Sequence, residues 1–148
     1  MSTIRLRPAT ADDAALLLNW RNDPSTRSSS FETGEVQKRE HISWLTSVLA
    51  DKDRQLLIAE ENGVPVGTVR ADLCDGVYEL SWTVAPDARG RGVGKRIIML
   101  VASQISEPIR AKVKSDNIAS VRIAKHAGMV FEREVTGILY YTRIARKQ

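Results

Sequence analysis

The stretch Arg89-Gly90-Arg91-Gly92-Val93-Gly94-Lys95 joins a predicted strand, Val77 to Val84, to an apolar run of helical periodicity, Val93 to Ile105. Glycine occupies alternate positions where the strand gives way to the helix. Because glycine has no Cβ, the backbone there can approach a bulky anion, and the first N–H groups of a helix have no intrahelical partners. The helix dipole favours a nearby anion by about 0.3–1 kcal/mol. The stretch therefore predicts a phosphate-binding loop.

The spacing of the glycines excludes two common phosphate-binding loops. A dinucleotide fingerprint, Gly-x-Gly-x-x-Gly, requires a final glycine where the chain has Lys95 or Ile97. A Walker loop requires glycine at position 89 and serine or threonine at position 96, and both positions are arginine. Two interpretations are left. The pattern Arg-x-x-Gly-x-Gly after a strand that ends in Val84-Ala85-Pro86 is a phosphate-binding loop of another kind, or it is a glycine-rich turn with incidental arginines.

Length and composition indicate one globular domain. The chain has 148 residues, of which 43% are hydrophobic and 27% charged. No apolar run approaches the roughly 20 residues of a membrane span, and we expect no signal peptide, since the alternating segment Thr3 to Pro8 follows the first residues directly. The single cysteine, Cys74, excludes an internal disulfide and fits a reducing cytosol. We expect a single domain over residues 1–148, cytoplasmic, without a membrane partner, and monomeric or homodimeric.

The charge pattern favours a small anionic ligand. The formal net charge is +4, but the 22 basic residues are interspersed with 18 acidic ones, which argues against nucleic acid as a partner. Positive charge is concentrated in and after the glycine loop, at Arg89, Arg91, Lys95 and Arg96. A polyphosphate ligand accounts for this cluster.

Hydrophobic periodicity predicts an α/β fold. The predicted elements are a strand from Thr3 to Pro8, helices from Thr10 to about Asn22 and from about Glu35 to Leu49, strands Gln55–Glu61, Val64–Leu73 and Val77–Val84, a helix from Val93 to Ile105, a strand from Ile109 to Val113, a helix from Ile118 to Ala127, and two strands between Met129 and Ile144. Pro24 and the stretch Ser25 to Ser30 end the first helix. The pairs Asn62-Gly63 and Asp75-Gly76 predict tight turns, so strands two to four form an antiparallel meander. The order is β-α-α-β-β-β-α-β-α-β-β, a single α/β domain with a mixed sheet.

The loop motif after Val84-Ala85-Pro86 resembles the acyl-CoA pyrophosphate loop of the GNAT superfamily of N-acyltransferases, and the element order resembles the GNAT fold over essentially the whole chain. The resemblance implies that acetyl-CoA is the acyl donor, that no metal takes part, and that a primary amine attacks the thioester directly in a ternary complex. It assigns to the cofactor the loop residues Arg89, Gly90, Arg91, Gly92, Val93, Gly94 and Lys95.

Acetyl transfer also needs a polarised thioester carbonyl. The resemblance implies that the end of the fourth strand, at Trp82, Thr83 and Val84, diverges from the fifth strand and gives a backbone N–H to the thioester oxygen. A positioned donor of this kind contributes roughly 2.7–4 kcal/mol in the transition state. Pro86 is consistent with a strand that ends here, because proline cannot donate to a continuing ladder.

Glu79 is the best candidate for the catalytic base. It interrupts an otherwise apolar strand, where a glutamate is unusual except on a solvent-exposed face. An alkylamine is protonated at neutral pH, so a base, or desolvation of the amine, must remove its proton. The segment Glu79 to Trp82 resembles the GNAT strand in which such a glutamate faces the acceptor amine. The alternative is a glutamate on the open face of the sheet.

The segment Asn117 to Met129 resembles the second GNAT motif, in which Asn117 and Ser120 match positions that contact the pantetheine arm and the thiol region. Many members have a tyrosine as general acid seven residues after that asparagine, where this chain has Ala124. Because a thiolate is a tolerable leaving group, an acid assists but is not indispensable. Ser120 and Tyr140, or Tyr141, are the candidate donors. Ala124 also leaves open a non-catalytic acyl-CoA-binding or sensing module.

The N-terminal half supplies the candidate acceptor site. The segments Asn19 to Pro24, with Arg27, and His41 to Leu45 resemble the GNAT subgroup of ribosomal-protein alanine and nucleotide-linked amino-sugar N-acetyltransferases. The resemblance implies a small-molecule or peptide amine as acceptor. The candidate substrate-binding residues are Arg21, Asn22, Arg27 and His41. The alternatives are helix-end contacts for Arg21, Asn22 and Arg27 and a capping or packing role for His41.

Overall fold

A computed structural model describes residues 3–146, which form a seven-stranded mixed sheet with helices on both faces. The strands are β1 Ile4–Pro8, β2 Arg54–Glu61, β3 Val64–Cys74, β4 Val77–Val84, β5 Ile109–Lys114, β6 Val130–Val135 and β7 Ile138–Arg143. The helices are α1 Ala14–Asn22, α2 Pro24–Ser29, α3 Lys38–Ala50, α4 Val93–Ser103 and α5 Ile118–His126. Single 3₁₀ turns cover Ala11–Asp13 and Pro86–Ala88. The predicted α/β order is confirmed, with α2 as an additional short helix.

Helix α2 forms in a stretch that the sequence analysis interpreted as the end of a helix. Pro24 stands in its first turn, where the missing N–H of proline costs no hydrogen bond. The Asp23 side chain accepts from the backbone N–H of Thr26 at 3.2 Å and so caps the new helix. The serine-rich composition thus ends α1 but does not prevent a second short helix from starting immediately.

The strand order in the sheet is β1-β2-β3-β4-β5-β7-β6, in which β4 and β5 are the parallel pair. The predicted meander of β2, β3 and β4 is confirmed. At its first turn Asn62 and Gly63 both have positive φ, 52° and 80°, as a type I′ turn requires. The first helical segment begins at Thr10, as predicted: Thr10 caps the turn Ala11–Asp13 and forms a capping box with Asp13.

Residues of β3 show which helix covers each face of the sheet. A Cβ on Gly67 would lie 2.8 Å from Ile97 Cδ1 of α4 and 2.8 Å from the backbone oxygen of Thr83. On the opposite face, the Arg70 guanidinium lies 5.6 Å from the centre of the Trp44 ring of α3. Side chains alternate along a strand, so α4 packs on one face and α3 on the other. The largest fully buried side chains are Val48, Ile58, Val69, Val93, Ile97, Ile98 and Ile109.

His41 lies in the packed interior between α3 and the first helical segment. Its residue exposure is 4%, and its ring centre is 5.5 Å from that of Trp44. Burial lowers the pKa of His41, a hydrogen bond with the Ala14 backbone opposes the shift, and the nearby Arg21 charge lowers the pKa further. The structure therefore places His41 in the core and keeps its imidazole neutral at neutral pH.

We expect Gly67→Ala to destabilise the protein by about 1–3 kcal/mol, since the added methyl group overlaps a backbone oxygen as well as a core side chain. Chemical denaturation measures the loss. Gly34→Ala is the matched control, because a Cβ at Gly34 meets nothing within 4 Å. Equal stability of the two variants would contradict the close approach of α4 to β3.

The free energy of unfolding should fall as pH drops below about 6.5, the ordinary pKa of histidine, because the unfolded chain then binds a proton that buried His41 resists. The loss of stability grows as the pH falls further, until the pH reaches the lowered pKa of His41 in the folded state. Denaturation between pH 5 and 8 measures this slope, and His41→Gln removes it. Asp13 and Asp23, whose pKa values are lowered from 3.8, stabilise the folded state above that pH, and this stabilisation is lost only below about pH 4, outside the measured range. His126→Gln, at a surface histidine, is the control; a slope in His41→Gln equal to that of the wild type would refute the assignment.

Candidate active site

The strands β4 and β5 separate soon after they meet. They pair at two positions, Tyr78 with Ile109 and Glu79 with Arg110, whereas β3 remains paired with β4 as far as Val84. The rest of β4 therefore has a strand partner on one side only, and a V-shaped gap opens between β4 and β5. Backbone N–H groups at the edge of such a gap can donate to a ligand carbonyl instead of to a neighbouring strand.

The glycine loop lies at the open end of this gap, between β4 and α4. Gly90 and Gly92 have φ of 80° and 73°, and a Cβ on either would meet nothing within 4 Å. These two glycines therefore permit the left-handed turn beside an open surface. Gly94 is different, because a Cβ there would lie 2.5 Å from Ile123 Cδ1 and 3.1 Å from Val84 Cγ2. Gly94 thus allows α4 to pack closely on α5 and β4, a role that the glycine spacing did not predict.

Glu61, the last residue of β2, contacts two basic side chains at the start of α4. Arg91 Nη1 lies 3.0 Å from Glu61 Oε1, and Arg96 Nη1 lies 2.9 Å from Oε2. The Glu61 side chain is only 8% exposed, whereas those of Arg91 and Arg96 are 52% and 39% exposed. Charge-assisted hydrogen bonds to a buried carboxylate fix both guanidinium groups beside the helix N-terminus.

Arg89 ties the glycine loop to the junction of α1 and α2. Its Nη2 donates to Asp23 Oδ2 at 2.7 Å and to Thr26 Oγ1 at 3.0 Å. The Arg89 guanidinium is the main reason that the pKa of Asp23 lies below its ordinary value. Lys95 is exposed on the first turn of α4. The loop thus presents several cations next to unpaired helix N–H groups, which suits a pyrophosphate.

Asn117 and Ser120 both lie at the N-terminus of α5. Asn117 caps the helix, since its Oδ1 accepts from the Ser120 backbone N–H at 3.2 Å. The Ser120 hydroxyl is 3.2 Å from Trp82 Nε1 of β4. Because an indole N–H only donates, Ser120 Oγ is the acceptor in this bond and its own O–H can donate elsewhere. The sequence analysis missed this pair, which joins two elements that are far apart in the chain.

Glu79 lies where β4 and β5 part, on the face opposite to α4. Its Oε1 accepts from Arg110 Nε at 3.1 Å and lies 3.4 Å from Lys112 Nζ. Tyr140 of β7 is paired with Lys112 and shares its face, with the Lys112 Nζ 5.7 Å from the centre of the ring. Tyr141 points the other way and is 3% exposed. The structure thus groups Glu79 with Tyr140, and separates Ser120 from both by placing it on the α4 face.

Arg110 and Lys112 are the functional candidates that the sequence analysis did not name. In the run Ile109 to Lys114, apolar and basic residues alternate strictly, and the burial alternates with them. Such a period-two pattern indicates that all the basic side chains lie on one face. The sequence therefore indicated that these basic side chains share a face of the sheet. Only the pairing of β5 with β4 shows that Glu79 lies on the same face.

Three of the predicted acceptor-site residues fasten the segment that links α2 to α3. Arg21 Nη2 donates to the Glu32 oxygen at 2.8 Å, and Arg27 Nε donates to the Thr33 oxygen at 3.0 Å. The Asn22 amide makes two bonds with the backbone of Val36, at 2.9 and 2.8 Å. Arg21, Asn22 and Arg27 thus bind the backbone of the segment between α2 and α3. His41, the fourth predicted residue, is buried in the core.

A cavity of about 680 Å³ adjoins the glycine loop on the side of α1. Asn22, Asp23 and Arg91 are among its lining residues, together with Leu16, Asn19, Trp20, Val64, Pro65, Val66, Ala85, Pro86, Asp87 and Ala88. Within residues 3–146, no group of three or more His, Cys, Asp or Glu side chains could hold a metal ion. None of the helices in that range is both long and apolar enough to cross a membrane.

Solved structures with the same fold include several acetyltransferases. A domain from Methanocaldococcus jannaschii DSM 2661 superposes with a TM-score of 0.85 at 21% identity, covering 97% of this chain and 99% of that chain. Spermidine N-acetyltransferase from Vibrio cholerae, in complex with CoA and spermine, gives 0.84 at 16% identity, with 96% and 95% covered. Aminoglycoside acetyltransferase AAC(6′)-Ib, in complex with coenzyme A and kanamycin, gives 0.82 at 21% identity, with 96% and 95% covered. At these identities the similarity establishes the fold.

The family follows from a sequence profile together with the site. No curated protein sequence matches the chain. The profile of the acetyltransferase (GNAT) domain family matches residues 3–130, which is most of the chain. The matched region includes the glycine loop, the gap between β4 and β5, and Asn117 with Ser120. The chain therefore belongs to the acetyltransferase (GNAT) family and is an acetyl-CoA-dependent N-acetyltransferase.

Proposed function

We propose that the enzyme transfers the acetyl group to a primary amine that enters from the Glu79 face of the sheet and attacks the thioester directly in a ternary complex. The observation that carries this proposal is the position of Glu79, the last residue of β4 to pair with β5. A carboxylate there stands at the apex of the gap. The backbone N–H groups of Trp82 and Val84 are on the side of the gap and can donate to the thioester oxygen, whereas that of Thr83 is on the side of β3. The proposed base and the proposed carbonyl donors then lie on the same strand, along one gap.

Binding of the donor is assigned to the two segments that follow β4 and β5 at the open end of the gap. Acetyl-CoA supplies the acyl group as an activated thioester. The loop from Arg89 to Lys95 binds its pyrophosphate with guanidinium and backbone N–H groups, and Asn117 with Ser120 contacts the pantetheine arm and the thiol region. The bonds of Arg89 to Asp23 and of Arg91 to Glu61 use only part of the five N–H donors of each guanidinium.

Glu79 removes the proton from the attacking amine in this proposal. Arg110 and Lys112 both contact Oε1, which fixes the orientation of the carboxylate. We assign Oε2 as the atom that accepts the amine proton. General base catalysis of this kind contributes typically about 10²–10⁴-fold to the rate.

Ser120 stabilises the departing thiolate with an O–H···S hydrogen bond and keeps its proton, while Trp82 holds the hydroxyl by donating to Oγ. This pair takes the role of the tyrosine that many family members have at the position of Ala124. Ala124 itself is fully buried. Tyr140 is the second candidate donor, but it lies on the acceptor face between Lys112 and the guanidinium of Arg133, which is 4.4 Å from its ring centre.

For the acceptor we propose an amino sugar linked to a nucleotide, ahead of a protein N-terminus. The polyamine and aminoglycoside of the structural neighbours are polycations, whereas Glu79 here is surrounded by Arg110 and Lys112. Incubation with acetyl-CoA and a panel of sugars, peptides and polyamines, followed by measurement of thiol release, tests the activity. Failure to bind CoA at millimolar concentration would overturn the proposal.

Glu79→Gln should lower kcat by about 10²–10⁴-fold with little change in the KM for acetyl-CoA, since the amide cannot accept the proton. Steady-state kinetics from pH 6 to 9 measure the effect, and the limb of the pH–rate profile that reports the base should disappear. Glu134→Gln, at an exposed position of β6, is the matched control. A profile identical to that of the wild type would remove Glu79 as base.

Ser120→Ala should lower kcat about tenfold, the value of one hydrogen bond of roughly 1.4 kcal/mol to the leaving group. Trp82→Phe should have a smaller effect, because the serine hydroxyl is still present but no longer held. If Trp82 acts through Ser120, the double variant is no slower than Ser120→Ala alone. Independent, multiplicative effects in this double-mutant cycle would contradict the pairing.

A further inference from the structure

Helix α2 connects the two strands at the open end of the gap. On the β4 side, its N-cap residue Asp23 and Thr26 in its first turn both accept from Arg89 Nη2, at 2.7 and 3.0 Å. On the β5 side, the carbonyl oxygen of Ser28 in its last turn accepts from Lys114 Nζ at 3.0 Å. The helix is therefore fastened at both ends, once to the glycine loop after β4 and once to the last residue of β5.

The contact with Lys114 places α2 on the Glu79 face of the sheet. Side chains alternate along β5, so Lys114 shares a face with Arg110, whose Nε lies 3.1 Å from Glu79 Oε1. The four residues from Arg110 to Lys114 span about 13 Å of strand. On this face the gap thus extends from Glu79 at its closed end to α2 at its open end, and an amine that reaches Glu79 passes beside the helix.

Polar contacts, rather than burial, keep α2 in place. None of its six residues is buried. Isolated helices shorter than about 12 residues are marginal in water, so a helix of this length depends on the contacts that it makes with neighbouring elements. Segments with few buried apolar contacts also open most readily. The position of α2 is consequently sensitive to its bonds with Arg89 and Lys114.

Arg89 has donors left for a second partner. A guanidinium carries five N–H donors, and the two on Nη2 are accounted for by Asp23 and Thr26. Within residues 3–146, Nε and Nη1 of Arg89 make no hydrogen bond, and the side chain is 38% exposed. Three donors of Arg89 are therefore free at the loop that we assign to the pyrophosphate.

We propose that Arg89 couples the two substrates: a pyrophosphate on its free donors fixes the guanidinium that holds α2, so that donor binding stabilises α2 beside the acceptor. Arg89 is thus a positioning residue for the acceptor as well as a donor-binding residue. The inference rests on the proposed function, because the amine must enter on the Glu79 face. The rotamer freedom of the arginine is lost once for both contacts, which makes them cooperative. The guanidinium lies between the phosphate and Asp23, so each anion is nearer to the cation than to the other anion.

Hydrogen exchange of the α2 amides, measured with and without CoA, tests the coupling. We expect exchange in α2 to slow about tenfold when CoA saturates the protein, within the roughly 5–150-fold range that is typical of coupling between two sites. Helix α3 has no bond to Arg89 or Lys114 and is the internal reference for a general stabilisation by the ligand. The slowing in α2 should exceed that in α3.

Asp23→Ser separates the contact with Arg89 from the helix cap. Asp23 performs both functions, since its Oδ2 also accepts from the Thr26 backbone N–H. Serine caps a helix about as well as aspartate does, but it is uncharged and too short to hold Arg89 in the same way. In Asp23→Ser the slowing of α2 exchange by CoA should disappear, although calorimetry still detects CoA binding. Asp87→Ser, which removes an exposed carboxylate from the turn before the loop, is the matched control and should keep the slowing.

Lys114→Met removes the contact at the other end of α2. We expect α2 to exchange faster both with and without CoA, while the slowing by CoA remains, because Lys114 does not contact the donor loop. Adding Arg89→Met to Asp23→Ser should change α2 exchange no further, since both substitutions break one bond. For the amine of the panel that is acetylated fastest, the acceptor KM should rise about tenfold in Asp23→Ser and in Lys114→Met, with a smaller change in kcat.

Three results would overturn the coupling while acetyl transfer stands. They are equal slowing by CoA in the wild type and in Asp23→Ser, no slowing in α2 beyond that in α3, and an acceptor KM that neither variant changes. A different result concerns the proposed function alone. If α2 responds to CoA as expected but no amine of the panel is acetylated, the proposed function fails and the bond between Arg89 and Asp23 still transmits donor binding to α2.

Discussion

The pairing of β4 with β5 ends at Glu79, and the rest of the site depends on this divergence of the two strands. β3 holds β4 straight to Val84, so its last residues stay extended although they have no partner on the other side. This edge is lined with unpaired backbone groups, which a sheet normally saturates. In an acetyltransferase the thioester can take the place of the missing strand. The same divergence leaves Glu79 at the closed end of the gap and the glycine loop at its open end.

Close packing at two glycines fixes the position of α4 beside the site. Gly67 and Gly94 let α4 approach β3, β4 and α5 more closely than any residue with a Cβ would allow. The N-terminus of α4, and with it Gly90 and Gly92, is thereby set relative to the gap. Backbone donors fixed in this way need no reorganisation when an anion binds, and that preorganisation is the source of electrostatic stabilisation in enzymes.

Charged side chains form two separate groups, one at the glycine loop and one along β5. At the glycine loop, the carboxylates of Glu61 and Asp23 hold guanidinium groups in position beside the helix N-terminus. Along β5, cations exceed carboxylates around Glu79. The first arrangement suits the pyrophosphate of the donor, and the second bears on the acceptor. Both groups of cations contribute to the +4 net charge of the chain.

Local signals in the sequence determined the fold class, the meander with its Asn62-Gly63 turn, and the glycine loop, because turn chemistry, strand alternation and helix periodicity depend on neighbours in the chain. They also singled out Glu79 and Ser120 as candidates. Only the tertiary structure decided that Arg110 and Lys112 meet Glu79, that Trp82 meets Ser120, and that Gly94 serves packing. It likewise placed Arg21, Asn22 and Arg27 against a linking segment and His41 in the core. These contacts join residues far apart in sequence, and a sequence shows which side chains are available but not which of them strand pairing and helix packing bring together.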